Sequence, residues 1–415
     1  MATPYLKSWT PTTTYEFNLV IDNKDYSNDL TRLTIKSSVA TPYQNVSFEL
    51  FLDPTDVIEN KIYGESKITL TIILKAKTHS SDQQIIFELM FLRLETPYKS
   101  VRSVHLPSGG EQKERESIVI ETVIRNAYTT MNKNVNELFI GKTPEQIITS
   151  LVQNNTDAKL EYDTNGKNPL VIDQFLAPPS TLYQVIKYLD RTYGVFKGDM
   201  SVNCFFDNTV RVQNLSKKIQ SDQAFTVYQL ATDVDQRKIF ESNDPKQFYT
   251  KEPVRLINRG NAIISSIGKT RNYIVKPSNQ LFTTISKDSN DTAVNNGIIS
   301  KRGKNIKVHY DSKALERNIY ITNETGYNTD DSFAIASMTR SLEDVGMLSI
   351  GLQDSLPLLN LMKIGSSVKF ITQISDYKPF GGMYVLRTSD IGFIRSKVWE
   401  SWARIIIMRA NIIES

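Results

Sequence analysis

The chain has 415 residues, too many for one ordinary domain, and about two to four compact units are expected. Hydrophobic residues make up 40% and charged residues 23%, enough for packed cores, and the 49 basic and 45 acidic side chains are interspersed to a net charge of +4. That balance excludes the dense Lys/Arg stripe that grips nucleic-acid phosphates. The single cysteine, Cys204, excludes an intrachain disulfide and fits a reducing cytoplasm.

The N-terminus, Met1-Ala2-Thr3-Pro4-Tyr5-Leu6-Lys7, carries no apolar signal-like run. Strands then follow one another between polar turns. Tyr15–Ile21 ends at the turn cluster Asp22-Asn23-Lys24-Asp25, and Leu33–Ser37 and Val46–Leu52 alternate apolar with polar. Ile68–Leu74 and Ile85–Leu92 flank the polar stretch His79–Asp82, and Ser117–Arg125 supplies a sixth strand. Six short strands with turn-punctuated spacing predict an antiparallel sandwich or barrel over residues 1–125.

The period then changes. Thr143-Pro144-Glu145-Gln146 has the form of a capping box with proline in the first turn, and Ile147, Ile148, Leu151 and Val152 make an apolar face. A short strand is expected at Leu170–Asp173. A second helix is expected from Ser180, with Leu182, Val185, Ile186, Leu189 and Tyr193 inward and Gly194 as its stop. Residues 126–198 thus read as a small α/β domain. Strands resume at Ser201–Phe206 and Thr209–Val212 around an Asp207-Asn208 turn. Within that first strand Cys204 reads as a buried residue and not a nucleophile.

Residues 231–344 read as an inserted domain with a polar loop at Lys287–Asp291, a strand at Ile306–Tyr310 and a helix from Thr329. Val368–Ile371, Met383–Arg387 and Val398–Met408 return to β. Residues 199–230 with 345–415 therefore read as a second β domain around the insert. Its longest apolar run, Ile405-Ile406-Ile407-Met408, is far too short to span a bilayer, and no membrane insertion is expected.

A search for chemistry returns little. His79, His105 and His309 are far apart, so helical metal-ligand spacing is absent. Gly141-Lys142-Thr143 sits between a strand and a helix like a phosphate loop, but Asn136 stands where the motif needs glycine. Gly268-Lys269-Thr270 fails in the same way at Ile263. The calcium-loop lookalike starting at Asp288 has Ala293 and Ile299 at the positions that require Gly and Glu. No catalytic, cofactor or metal residue is assigned, and a non-enzymatic protein is expected. Trp399 and Trp402, three residues apart on one strand, should point to opposite faces. One is expected in the core and the other at a subunit contact, where tryptophan is enriched.

Two regions carry a family resemblance. Thr143–Ile148, Phe175–Leu182 and Leu189-Asp190-Arg191-Thr192-Tyr193-Gly194, followed by the hairpin Phe205–Val210, are similar to the middle of the phage hub family. Leu361–Phe370, Met383–Leu386 and Ile405–Met408 look like that family's closing module. The chain thus resembles the baseplate hub proteins of contractile-tailed bacteriophages, a family that includes the late control protein D group and the N-terminal half of type VI secretion spike proteins.

The resemblance implies a mainly β fold: two tube-protein-like antiparallel β-barrels per chain plus smaller α+β domains. It also implies a homotrimer whose ring of six barrels adapts a six-fold tail tube to a three-fold central spike, with a channel for DNA. Implied partners are the tail tube or a tube-initiator ring and the central spike protein, with baseplate wedge proteins and the tape measure as further candidates. Sequence-specific nucleic-acid binding is not implied. The implied location is the virion tail baseplate, assembled in the host bacterial cytoplasm. Because the last strand runs to the end of the sequence, the spike is expected to be a separate polypeptide. Two other readings stay open: another β-barrel virion component, such as a tube initiator or adhesin, and a tail-associated cell-wall hydrolase.

Overall fold

The computed structural model describes residues 13–52, 65–76, 83–95, 116–196, 200–215, 225–229, 247–250, 254–257, 271–275, 282–285, 299–310, 313–322, 347–353, 363–375, 380–396, 398–409 and 412–414. The expected features at residues 79–82, 268–270 and 287–291 and the helix from residue 329 lie outside them.

The first strands are β1 (Thr13–Ile21), β2 (Lys24–Asp25), β3 (Leu30–Ser38), β4 (Asn45–Leu52), β5 (Ile68–Ala76), β6 (Gln83–Glu95) and β7 (Glu116–Ile124). All their mutual pairings are antiparallel, in the order β3-β4-β7-β6-β5-β1-β2. Alternation explains which side is inside. In β4, Val46, Phe48, Leu50 and Leu52 are buried, while Phe51 on the other face is exposed. The β1–β2 turn places Asp22 and Asn23 at φ 48° and 69°, the doubly left-handed geometry that matches strand twist in a two-residue hairpin.

The chain bends at Arg125 into α1 (Arg125–Met131), a helix not foreseen because residues 117–125 read as one strand. There follow β8 (Asn134–Val135), β9 (Leu138–Lys142), α2 (Pro144–Asn155), β10 (Lys159–Tyr162), β11 (Ile172–Leu176), β12 (Ser180–Thr181), α3 (Leu182–Tyr193), β13 (Met200–Cys204) and β14 (Thr209–Asn214). The α2 cap is the expected one: the Gln146 amide donates to Thr143 Oγ1 and the Thr143 amide donates to Gln146 Oε1. A second box, Thr181 with Gln184, starts α3 two residues later than expected, and Gly194 ends it at φ 75°. Each cap contributes about 1 kcal/mol. The strand expected at 170–173 lies two residues later, as β11.

The short strands of this region form one ribbon. β9 pairs β11, β8 pairs β12, and between them the Ala177 amide donates to the Glu137 carbonyl at 2.8 Å. Its buried side, with Val135, Phe139, Phe175 and Ala177, packs toward the helices, and Phe175 meets the rings of Tyr188 and Tyr193.

β13 and β14 form the expected hairpin, with Asn208 at φ 52° in its turn. It was expected in the second β unit. Instead β14 pairs parallel with β10, making the three-stranded sheet β10-β14-β13.

The remaining strands are β15 (Phe225–Gln229), β16 (Gln247–Thr250), β17 (Arg255–Ile257), β18 (Arg271–Val275), β19 (Phe282–Ile285), β20 (Ile299–Tyr310), β21 (Lys313–Thr322), β22 (Met347–Gln353), β23 (Ser367–Thr372), β24 (Gly382–Arg395), β25 (Trp399–Arg409) and β26 (Ile412–Glu414). Five of them form a separate sheet, β19-β18-β21-β20-β26. β16 and β17 lie in the segment read as an insert, yet they join the large sheet.

That large sheet has 14 strands and runs through both β regions. β24 is the reason. Its first residues pair with β23, and its remainder, Thr388–Ile394, pairs antiparallel with β3 of the first group. Along its other edge β24 pairs with β25, which in turn pairs with β22. The second group departs from the expected antiparallel pattern, because β15 lies parallel to both β16 and β23. Parallel neighbours need long connections: 17 residues separate β15 from β16, and the whole 231–344 segment separates β15 from β23.

Candidate interaction surfaces

The β24–β25 hairpin carries both tryptophans singled out from sequence, and the structure sends them to opposite sides of the sheet. Trp399 lies against Phe17, ring centroids 4.4 Å apart. Phe393, buried on the same side, meets Phe17 at 5.1 Å and Tyr15 at 5.5 Å. The C-terminal hairpin thus supplies aromatic core to the first strand group. Trp402 sits on the other face, directly over its cross-strand partner Gly392. A Cβ at position 392 would lie 2.2 Å from the indole, so the ring covers a spot that only glycine leaves free.

That outer face mixes both signs of charge. The register sets Asp390 between Lys36 on β3 and Arg404 on β25. Burial pushes the Asp390 carboxyl above its ordinary value, and the two cations hold it back only in part. Farther along, Arg93 pairs with Glu121 at 2.5 Å, and Ser117 donates to Glu49. Here Arg93 holds the Glu121 carboxyl below the usual range. Cations matched by carboxylates in this way do not make a phosphate-gripping surface.

A second constellation joins three parts of the chain. Arg211 on β14 is buried, its side chain 3% exposed. It donates to Glu161 of β10 at 2.5 Å and to Asp207 of the hairpin turn at 2.9 Å, and it lies over the Phe205 ring. Lys363, on the approach to β23, reaches Asp207 at 3.7 Å. Beside it Gly365, at φ 84°, packs so closely on β14 that a Cβ would lie 1.9 Å from Gln213 Oε1. From the other side, Asn203 Nδ2 donates to the carbonyls of Ser38 and Thr41, and the Cys204 amide donates to Pro42. The β13–β14 hairpin therefore wedges between both strand groups. The sequence carries no clear signal for Arg211: between Val210 and Val212, and on one face with Thr209 and Gln213, it reads as an ordinary outward cation of an alternating strand.

The reactive-looking residues have structural roles. Thr143, the end of the phosphate-loop lookalike, is the cap of α2, and Lys142 Nζ donates to Ser150 at 3.0 Å. Cys204 is fully buried, and burial, aided by Asp207, pushes its thiol up to about 12, so it stays protonated. Among the described residues, no group of three or more His, Cys, Asp or Glu is placed to hold a metal, and no helix is long and apolar enough to cross a membrane.

No protein-family model matches the chain, and no curated protein matches it either. Solved structures do. The 43 kDa tail protein of prophage MuSo2 from Shewanella oneidensis is similar with a TM-score of 0.55 and 11% identity, over 95% of this chain and 98% of that one. The tail protein from Neisseria meningitidis MC58 is similar with a TM-score of 0.50 and 10% identity, over 95% and 97%. At such identity the likeness concerns architecture, and it extends across nearly the full length of both partners. The chain has the mainly β fold of these phage-type tail proteins.

Proposed function

We propose that the protein is a structural, non-enzymatic hub subunit of a contractile-tail baseplate. In this reading three copies close into a ring in which each contributes two β modules, one from the first strand group and one from the second. Six modules then meet the six-fold tail tube on one side, and three-fold symmetry meets the central spike on the other. The middle of the ring is left as a passage for DNA.

The observation that carries the reading is the likeness of fold to two tail proteins from end to end of the chain. The shared sheet supports it physically. A closed ring of heterologous contacts requires a fixed rotation between successive modules, and the continuous pairing of β24 with β3 on one stretch and β23 on another ties the two groups rigidly. Sedimentation of the purified protein tests the proposal. The expected result is a trimer that resists dilution, as permanent assemblies burying upwards of ~2,000 Å² do. A stable monomer would overturn it.

A further inference from the structure

The β9–β11 ribbon is the least protected apolar surface among the described residues. Leu138 and Leu176 are cross-strand partners, with Ile140 next to them along β9. They are 51%, 62% and 69% exposed. Leu170 and Val171 lead into β11 and are also exposed. At roughly 150–200 Å² per fully exposed large side chain, the five present about 450 Å² of apolar surface. Among the described residues β9 and β11 pair only with each other, so each leaves one edge without a described neighbouring strand. Two-stranded ribbons are marginal alone, and open apolar edges invite pairing with another chain.

From this we infer that the outer face of the β9–β11 ribbon is a contact surface for a neighbouring copy of this same chain. The inference rests on the trimeric reading above and gives it an address. Area is the first argument: a stable interface needs about 800 Å² from each partner, and this face supplies more than half of that before any polar rim is counted. Composition is the second. The centre is aliphatic without charge, as permanent self-association surfaces are, whereas surfaces for transient partners are more polar. At its margin stand both Lys142 and Asp173, so no single sign selects an oppositely charged stranger. The contact is heterologous, the ribbon of one copy meeting a different surface of the next, because only such contacts close a three-membered ring.

The test substitutes two exposed positions, Ile140→Lys with Leu176→Lys, in the full chain, and compares its sedimentation with wild type over a range of concentrations. The expected result is wild-type trimer and a variant whose association is weakened about 30-fold or more, the effect of losing an interface hot spot. A variant as trimeric as wild type overturns the ribbon contact and leaves the hub reading standing, whereas a monomeric wild type overturns both. Should the double variant fold poorly, a photo-crosslinking phenylalanine derivative at Ile140 gives the same answer in a nearly native chain. A covalent chain-to-chain adduct is expected, and irradiation that yields none contradicts the inference.

Discussion

At the scale of single residues, Arg211 and its carboxylates carry most of the testable electrostatics. Burial alone pushes the Asp207 carboxyl up, but the hydrogen bond and charge of Arg211, with Lys363 and Thr209, outweigh it and hold the group below the ordinary aspartate range. A folded-state pKa below the unfolded value of ~3.9 adds stability that is fully present above that value. The contribution is lost as pH falls through the folded pKa. Urea unfolding at pH 7 and pH 3 should therefore show Asp207→Asn losing less stability on acidification than wild type. Equal losses would mean that Asp207 is not held by the cations. Residues of this kind were hard to read beforehand, because Glu161, the Asp207–Arg211 hairpin and Lys363 converge only once the fold brings three segments together. Trp399 and Trp402 were easier, since strand alternation by itself separates their faces.

At the scale of elements, most of the first strand group was legible: β1, β3, β4, β5, β6 and β7 all coincide with apolar alternation bounded by turn residues. So were α2, from its capping box, and the β13–β14 hairpin, from Asp207-Asn208. What alternation could not tell was partnership. Nothing in Met383–Leu386 distinguishes a strand that stays within one group from one that crosses to β3. Nor does Thr209–Val212 announce a parallel pairing with β10, since pairing partners are chosen by the whole assembly of surfaces. The crossing has a consequence for stability. Phe393 belongs to the C-terminal hairpin, yet its ring is packed on Tyr15 and Phe17. Phe393→Ala should cost about 3–5 kcal/mol, as truncation of a buried phenylalanine does. Amide exchange should show β1 losing protection together with β24. If β1 keeps its protection while only the C-terminal strands loosen, the two groups are less tightly joined than their shared sheet implies.

At the scale of the whole molecule, the described residues run from a first β group through a small α/β region braced by Arg211 to a second β group, which encloses strands β18 to β21 of the separate sheet and whose last hairpin returns to pair with the first. Because β24 pairs with both β23 and β3, the two strand groups share one sheet, the fixed connection that the proposed ring requires. In the proposed function three copies close around an opening. Electron-microscopic reconstruction of the purified protein, without imposed symmetry, tests it most directly. The expected map is a three-fold ring of six similar β lobes around a through-channel. A map with a single copy, or with three copies packed into a solid centre, would contradict it.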